Sequence, residues 1–268
     1  MFDKMNAMYV NENLRTTQLL DKRYDSKGHL SRHGKKVFSQ TDEDGIIAEI
    51  FSRIGIKARN FIEFGVEDGR ECNSLWLLMQ GWKGMWIEAS PKHCKSIQNS
   101  HQIYLMTDQL VLRNEFVLRD NIDAMIGNYL KQSNGADLDL LSIDIDSNDY
   151  WVWQAIDVVK PRVVMIEYNA HWPPPANITI PYDPKFQWKA DSYFGASLGA
   201  LAKLGKSKGY ALVGCNLTGI NAFFVRADLV KNKFYKPGDA AAHYEPPRFH
   251  LISIHNGHPP AFGPVVEV

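Results

Sequence analysis

The stretch NFIEFGVEDGRECNS, residues 60–74, decides how this sequence is read. Asn60–Phe64 is a short apolar run with the look of a buried strand. Glycines follow at 65 and 69, and Cys72–Gln80 then carries a helical pattern. A strand running through a glycine turn into a helix is the local form of a βα unit. Its backbone can pass close to a ligand, because glycine has no Cβ and tolerates positive φ. The spacing is G-x-x-x-G, not the G-x-G-x-x-G of dinucleotide-binding turns. Glu63, Glu67 and Asp68 also oppose a pyrophosphate, which prefers bare N–H groups at a helix N-terminus. Taken alone, the same residues equally suit an ordinary strand–turn–helix connection.

Further strand and helix patterns extend from this unit. Upstream, Thr41 or Asp42 can cap a helix carrying Ile46, Ile47, Ile50, Phe51 and Ile54 at helical spacing and ending at Gly55. Downstream, strands are expected at 84–88, 110–117, 138–144 and 162–168. Helices are expected at 91–99, 121–131, 149–159 and 192–208. This alternation implies right-handed crossovers and a mostly parallel sheet. Strands 210–216 and 222–226 are joined by too few residues for a crossover and are expected to be antiparallel. The prediction is an α/β fold with a mostly parallel seven-stranded sheet and an antiparallel last strand. Residues 38–230 form the domain, 1–37 a loosely structured or helical accessory arm, and 231–268 a tail packed on it. Trp151 and Trp153, two apart in a helix, cannot share one face, so one belongs in the core.

Lys+Arg and Asp+Glu both number 30 in the 268 residues. That balance lacks the basic footprint of a nucleic-acid binder. Cys72, Cys94 and Cys215 show no disulfide or zinc spacing and suit a reducing compartment, hence the cytoplasm. No apolar run has the length of a membrane span, and the first residues lack a secretory h-region.

Glu88 ends the second strand, 19 residues after Gly69. In doubly wound folds an acidic residue near this spacing accepts hydrogen bonds from ribose hydroxyls. A solvated strand-end carboxylate is the other reading. Asn114 and Glu115, after the third strand, are candidates for a nucleobase edge. Five blocks resemble the FkbM-type methyltransferases: FSQTDEDGIIAEIFSRIG (38–55), NFIEFGVEDGRECNS (60–74), GWKGMWIEAS (81–90), LLSIDIDSNDYWVWQAI (140–156) and GYALVGCNLTGINAFFVRADL (209–229). The resemblance covers about residues 38–230. It implies a Rossmann-like class I methyltransferase fold, S-adenosylmethionine (SAM) as methyl donor, and O-methylation of a sugar or other polyhydroxylated small molecule. SAM would then lie at Gly65 and Gly69, with Glu63 and Glu88 as its acidic contacts. A small-molecule or glycosidic acceptor is the expected partner, and homo-oligomerisation stays open. The family's Asp-x-Glu-Gly after the fourth strand is here Asp144-Ile145-Asp146-Ser147-Asn148-Asp149. That departure marks a divergent branch and keeps a catalytically silent binding protein as the alternative.

Ligands of parallel sheets bind beyond the carboxyl ends of the strands. Asp144 and Asp146 leave the fourth strand there, and Glu167, Asn169 and His171 leave the fifth. In one reading Asp144, Glu167 and Asn169 hold a hard cation such as Mg²⁺, resembling in position the TylF-type metal-dependent sugar O-methyltransferases. In the other, His171 or Asp146 is a general base without metal. Asp149 reads as a helix cap. The aromatic insertion at 172–194 is either a lid that stacks on a sugar or a cover for the core.

Overall fold

The computed structural model describes residues 2–133, 135, 137–252 and 257–268. Helix α1 (Phe2–Leu20) and two short 3-10 turns precede α2 (Glu43–Ile54). Then come β1 (Asn60–Phe64), α3 (Leu75–Met79), β2 (Lys83–Glu88), α4 (Pro91–Ser100), α5 (Gln102–Met106) and β3 (Leu110–Asn114). They are followed by α6 (Ile122–Gln132), β4 (Leu140–Ile143), α7 (Asp149–Ala155), β5 (Val163–Glu167) and the short β6 (Ile178–Thr179). Helix α8 (Leu198–Ser207), β7 (Tyr210–Cys215), β8 (Asn221–Arg226), α9 (Ala227–Val230), α10 (Ala240–His243) and β9 (Val266–Glu267) complete the chain. Among the described residues no helix is long and apolar enough to cross a membrane.

Seven strands form one sheet in the order β3-β2-β1-β4-β5-β8-β7. All pairs among β1 to β5 are parallel, and β8 runs antiparallel to both β5 and β7. The last strand thus slots between β5 and β7 rather than closing the edge. This is the class I methyltransferase layout, as the strand–helix alternation predicts. The expected elements run longer than the observed ones at several ends. The third strand stops at Asn114, and the helix expected from Ser192 begins at Leu198 after Ser197 caps it.

Strand periodicity sorts side chains onto two faces. Ile62, Phe64, Leu141, Ile143, Val164, Ile166 and Phe224 pack against α6, α7 and α8. Phe61, Leu140, Val163, Met165, Phe223 and Val225 pack against α2, α3 and α4. By the same alternation Glu63, Asp144, Glu167 and Asn221 belong to the α2/α3 side. Trp153 is the core tryptophan, against Tyr210 and Phe224, and Trp151 is half-buried.

The terminal segments close this scaffold. Val10 and Leu14 of α1 pack with Tyr24, Leu217 and Leu251. Leu30 is fully buried with the strands of the α2 face, and the Ser31 hydroxyl donates to the Cys215 carbonyl at 2.9 Å. Buried Glu245 accepts from Arg23, from Arg248 at 2.7 Å and from the Tyr24 hydroxyl at 2.8 Å, all on Oε2. The end of the tail adds β9 to β6.

His29 is 1% exposed among Tyr24, Tyr235 and His243, and neither ring nitrogen has a hydrogen-bond partner among the described residues. Burial, reinforced by His243 and Arg23 and opposed by Asp21, lowers its pKa to about 4. His243 is lowered chiefly by burial too, against the pull of its backbone contacts at Lys236 and Tyr235. An unfolded imidazole titrates near 6.5, so between these values the unfolded chain binds more protons. The imidazole contribution to stability is therefore full above about pH 6.5 and falls as the pH drops toward 4, by roughly 2–3 kcal/mol. Urea unfolding at pH 7.5 and pH 5 should show His29→Leu gaining stability relative to wild type at pH 5, by about this contribution. An unchanged pH slope in the variant would assign the acid sensitivity elsewhere.

Candidate functional site

The turn after β1 is fixed from beneath by Glu63. Its Oε1 accepts from the Asn73 N–H at 2.7 Å and the Ser142 hydroxyl at 3.3 Å. Its Oε2 accepts from the Ser74 N–H at 2.8 Å and the Ser74 hydroxyl at 2.5 Å. Both oxygens are thus committed, and the residue is 2% exposed. Glu63 was expected to meet the cationic end of the methyl donor. Its lone pairs instead organise the turn and the start of α3, so it acts through that turn. Burial pushes its carboxyl up, while these hydrogen bonds pull it back.

The two glycines differ in role. Gly65 is exposed with φ +71°, and a Cβ there would lie 1.7 Å from the Asp144 carbonyl oxygen. The β1 turn therefore abuts the β4 turn, and only glycine permits it. Gly69, at φ +78°, is buried, and its Cβ would meet Trp86, Ile97 and His101 at 3.0–3.2 Å. It was expected to face the ligand, but its α-carbon faces the packing between β2 and α4.

Glu88 stands at the mouth of this turn. Oε2 accepts from the Glu67 N–H at 2.9 Å and Oε1 from the Ser90 N–H at 2.8 Å, leaving a lone pair on each oxygen. Asn114, its parallel neighbour on β3, is exposed and donates to the Glu88 and Ala89 carbonyls at 2.9 and 3.0 Å. Its amide oxygen is the part left for a ligand. Glu115 turns to a cavity of about 560 Å³ against α6, shared with Arg113, Asn121 and Lys131 and with no residue of the 63–69 turn.

At the ends of β4 and β5, one carboxylate oxygen each from Asp144, Asp146 and Glu167 lie within 4.8 Å of one another. Burial, then Asp146, Asp149, Glu63 and Glu43, hold the Asp144 carboxyl well above its usual range. Burial, then Asp144, Asp146 and Asp149, do the same to Glu167. Asp146 is pushed to about 7 by burial, Asp149 and Glu67. Asp146 also adopts φ +54°. The turn that places it is held by Asp149, which accepts from the Ile145 and Ser147 N–H groups at 2.9 Å each.

Two expected members stand apart. The Asn169 amide donates to the Ser192 and Phe194 carbonyls at 2.9 and 3.0 Å, and its oxygen accepts from the His171 N–H at 3.0 Å. Asn169 is fully buried, its NH₂ spent on two backbone carbonyls and its oxygen holding the His171 N–H, and the third carboxylate of the cluster is Asp146. The His171 ring lies 6.3 Å from the Phe249 ring, and burial and His258 lower its pKa. The charges acting on it come from the tail rather than from the carboxylates, so the structure does not join it to them.

Sequence reasoning missed the residues beneath the cluster. Glu43, in the first turn of α2, is fully buried. It accepts from Asn216 at 2.7 Å, Asn221 at 3.0 Å and the Thr41 hydroxyl at 2.8 Å. Asn221 is the cross-strand partner of Glu167. Asn73 Oδ1, Glu167 Oε2 and Asn221 Oδ1 are buried without a hydrogen-bond partner among the described residues. Three consecutive acids at 42–44 were the available signal, but nothing local tells a buried acid from a solvated first turn. The aromatic insertion is partly absorbed in pairs, Trp188 with Phe194 and Phe186 with Tyr193.

No family model matches the sequence, and no curated protein matches it. Solved structures give distant likenesses. The O-methyltransferase from Bacillus cereus in complex with SAH is 17% identical, with 81% of this chain and 89% of that chain covered and a TM-score of 0.43. The methyltransferase domain of bacterial CtHen1 is 14% identical over 69% and 97%, TM-score 0.44. The StiE O-methyltransferase segment is 11% identical over 62% and 50%, TM-score 0.38, so this chain spans half of that one.

The raised carboxyls carry a sign. The unfolded chain releases the Asp146 proton above about pH 4, whereas the folded chain keeps it to about 7. The Asp146 contribution to stability therefore falls as the pH rises through that window. Asp146→Asn, whose side chain tolerates the left-handed backbone, should melt roughly 2–6 °C above wild type at pH 8. The gain should vanish toward pH 4. A variant that melts lower at pH 8 would show that Asp146 stabilises the fold as a charged group.

Proposed function

We propose that this chain is a SAM-dependent O-methyltransferase acting on a hydroxyl of a sugar or polyhydroxylated small molecule. The observation that carries the reading is the convergence of Asp144, Asp146 and Glu167 beside the exposed Gly65 turn. A pocket rich in acceptors suits a ligand that brings positive charge and donors, as the sulfonium and ammonium groups of SAM and a polyol do together. Glu88 retains the lone pairs that a ribose diol needs, and the Asn114 amide oxygen lies next to it. The acidic turn, with Glu67 and Asp68, speaks against NAD. The five sequence blocks that resemble FkbM-type methyltransferases support the same reading.

The transfer needs a hydroxyl oxygen to attack the methyl carbon as the carbon–sulfur bond breaks, with the hydroxyl proton leaving for a base. Asp146, poised near pH 7, is the residue to accept it. Holding the hydroxyl in line with the methyl group supplies much of the rate. Three hard oxygen donors, one of them the unpartnered Glu167 Oε2, also fit a divalent cation such as Mg²⁺. Bound there, the ion would act as a Lewis acid on the hydroxyl. The altered block 144–149, with Asp149 spent on its turn, favours the second reading, a ligand-binding protein without transfer.

Isothermal titration with S-adenosylhomocysteine should give micromolar binding that weakens roughly tenfold or more in Glu88→Ala, about the loss of one charged hydrogen-bonding partner. No binding to wild type would overturn the donor assignment. MgCl₂ should raise the melting point of wild type and not of Asp144→Asn. Equal shifts would remove the metal. Methylation of no member of a hydroxyl library, despite binding, would select the second reading.

A further inference from the structure

We propose a second binding site, for an organic phosphate, at the opposite end of α2 from the carboxylates. A cleft of about 580 Å³ opens there between the N-terminal segment, the last turns of α2 and the chain after α9. Arg162 donates to the Ile54 and Gly55 carbonyls just before β5 begins, which places this end of α2 at the amino edge of the sheet. Helix α2 has 12 residues and spans about 18 Å, so the cleft is a site apart from the strand-end cluster.

Its walls are built around one side chain. Arg53 is 11% exposed and spends four of its five N–H groups. Nε donates to Glu49 at 2.8 Å, and Nη1 donates to the Gly28 and Lys233 carbonyls at 2.9 and 2.8 Å. Nη2 donates to the Lys27 carbonyl at 3.2 Å. Three carbonyls from two distant segments converge on it, and its guanidinium lies 5.3 Å from the centre of the Phe234 ring. The frame is thus set before any ligand arrives, which lowers the ordering cost of binding.

The lining is cationic. Lys27, Arg32, Arg53 and Lys233 face a single carboxylate, Glu49, which Arg53 already pairs. Lys27, Arg32 and Lys233 form no ion pair among the described residues. Lys233 donates to the Arg53 carbonyl, and Arg32 to the Asp25 carbonyl at 2.7 Å, contacts that cancel no charge. This local excess of positive charge attracts an anion. Arginine and lysine around a concave wall are the donors that phosphate uses. The volume lies in the range of small organic ligands, so the anion would carry an organic body.

The test is titration at low ionic strength with glucose 6-phosphate, inorganic phosphate and glucose. Glucose 6-phosphate should bind wild type, more tightly than inorganic phosphate and less tightly as salt rises, while glucose should not bind. The double variant Lys27→Glu/Arg32→Glu changes two exposed side chains and leaves the Arg53 frame alone. With an unchanged melting point, it should lose affinity roughly tenfold or more. Asp144→Asn should bind as wild type does. Absence of binding, equal binding by the double variant, inorganic phosphate binding as tightly as the ester, or loss in Asp144→Asn would each overturn the site.

Discussion

Three half-buried carboxyl groups that bring one oxygen each to within 4.8 Å of one another resist carrying charge together. They keep a proton, or they gather a cation. The rest of the site is arranged so that this tension is not relieved from within. Asp149 is consumed by the Ile145 and Ser147 N–H groups, and Glu63 by the β1 turn. Glu43 is consumed by Asn216, Asn221 and Thr41. The largest charges acting on Asp144 and Glu167 are all carboxylates. A fold selected for stability alone would place a base or an apolar residue there. On the proposed function, a positive or donor-rich ligand offsets that cost.

Such a cluster can persist only on a rigid support, and the chain termini supply part of it. Tyr168, the residue after Glu167, donates its hydroxyl to the Glu245 carbonyl at 2.7 Å. The Glu245 side chain is in turn clamped by Arg23, Arg248 and Tyr24. Breaking a buried charge pair of this kind typically costs several kcal/mol. The two ends of the sequence thereby fasten the end of β5.

Much of this was legible in the sequence. The βα alternation and the short link between β7 and β8 led to the sheet, because periodicity and loop length are local properties. Glycine 65 was legible as a close approach, although its partner is the Asp144 carbonyl rather than a ligand. What could not be read were contacts made by distant segments. Asn169 resembles a ligand until its amide is seen to tie the 192–194 backbone to the start of the 169–171 turn. His171 resembles a base until its neighbours prove to be Phe249 and His258. Leu30 lay in a polar segment, and only the sheet shows the slot it fills against Gly214.

One helix relates the two charged regions. The first turn of α2 holds Glu43 and Asp44 under the strand ends, and its last turn holds Arg53 in the basic cleft. The helix dipole would favour this order of charges even in isolation, but that effect is small at a solvated surface. Here Asp44 accepts from the Val37, Phe38 and Ser39 N–H groups at 2.7–2.8 Å, and Arg53 gathers carbonyls from 27, 28 and 233. Each terminal charge of α2 thus anchors backbone from the N-terminal segment. The residues 27–39 strung between them are therefore tied by hydrogen bonds to both ends of the helix. Beside Asp44 in that first turn, Glu43 holds Asn221, the cross-strand partner of Glu167.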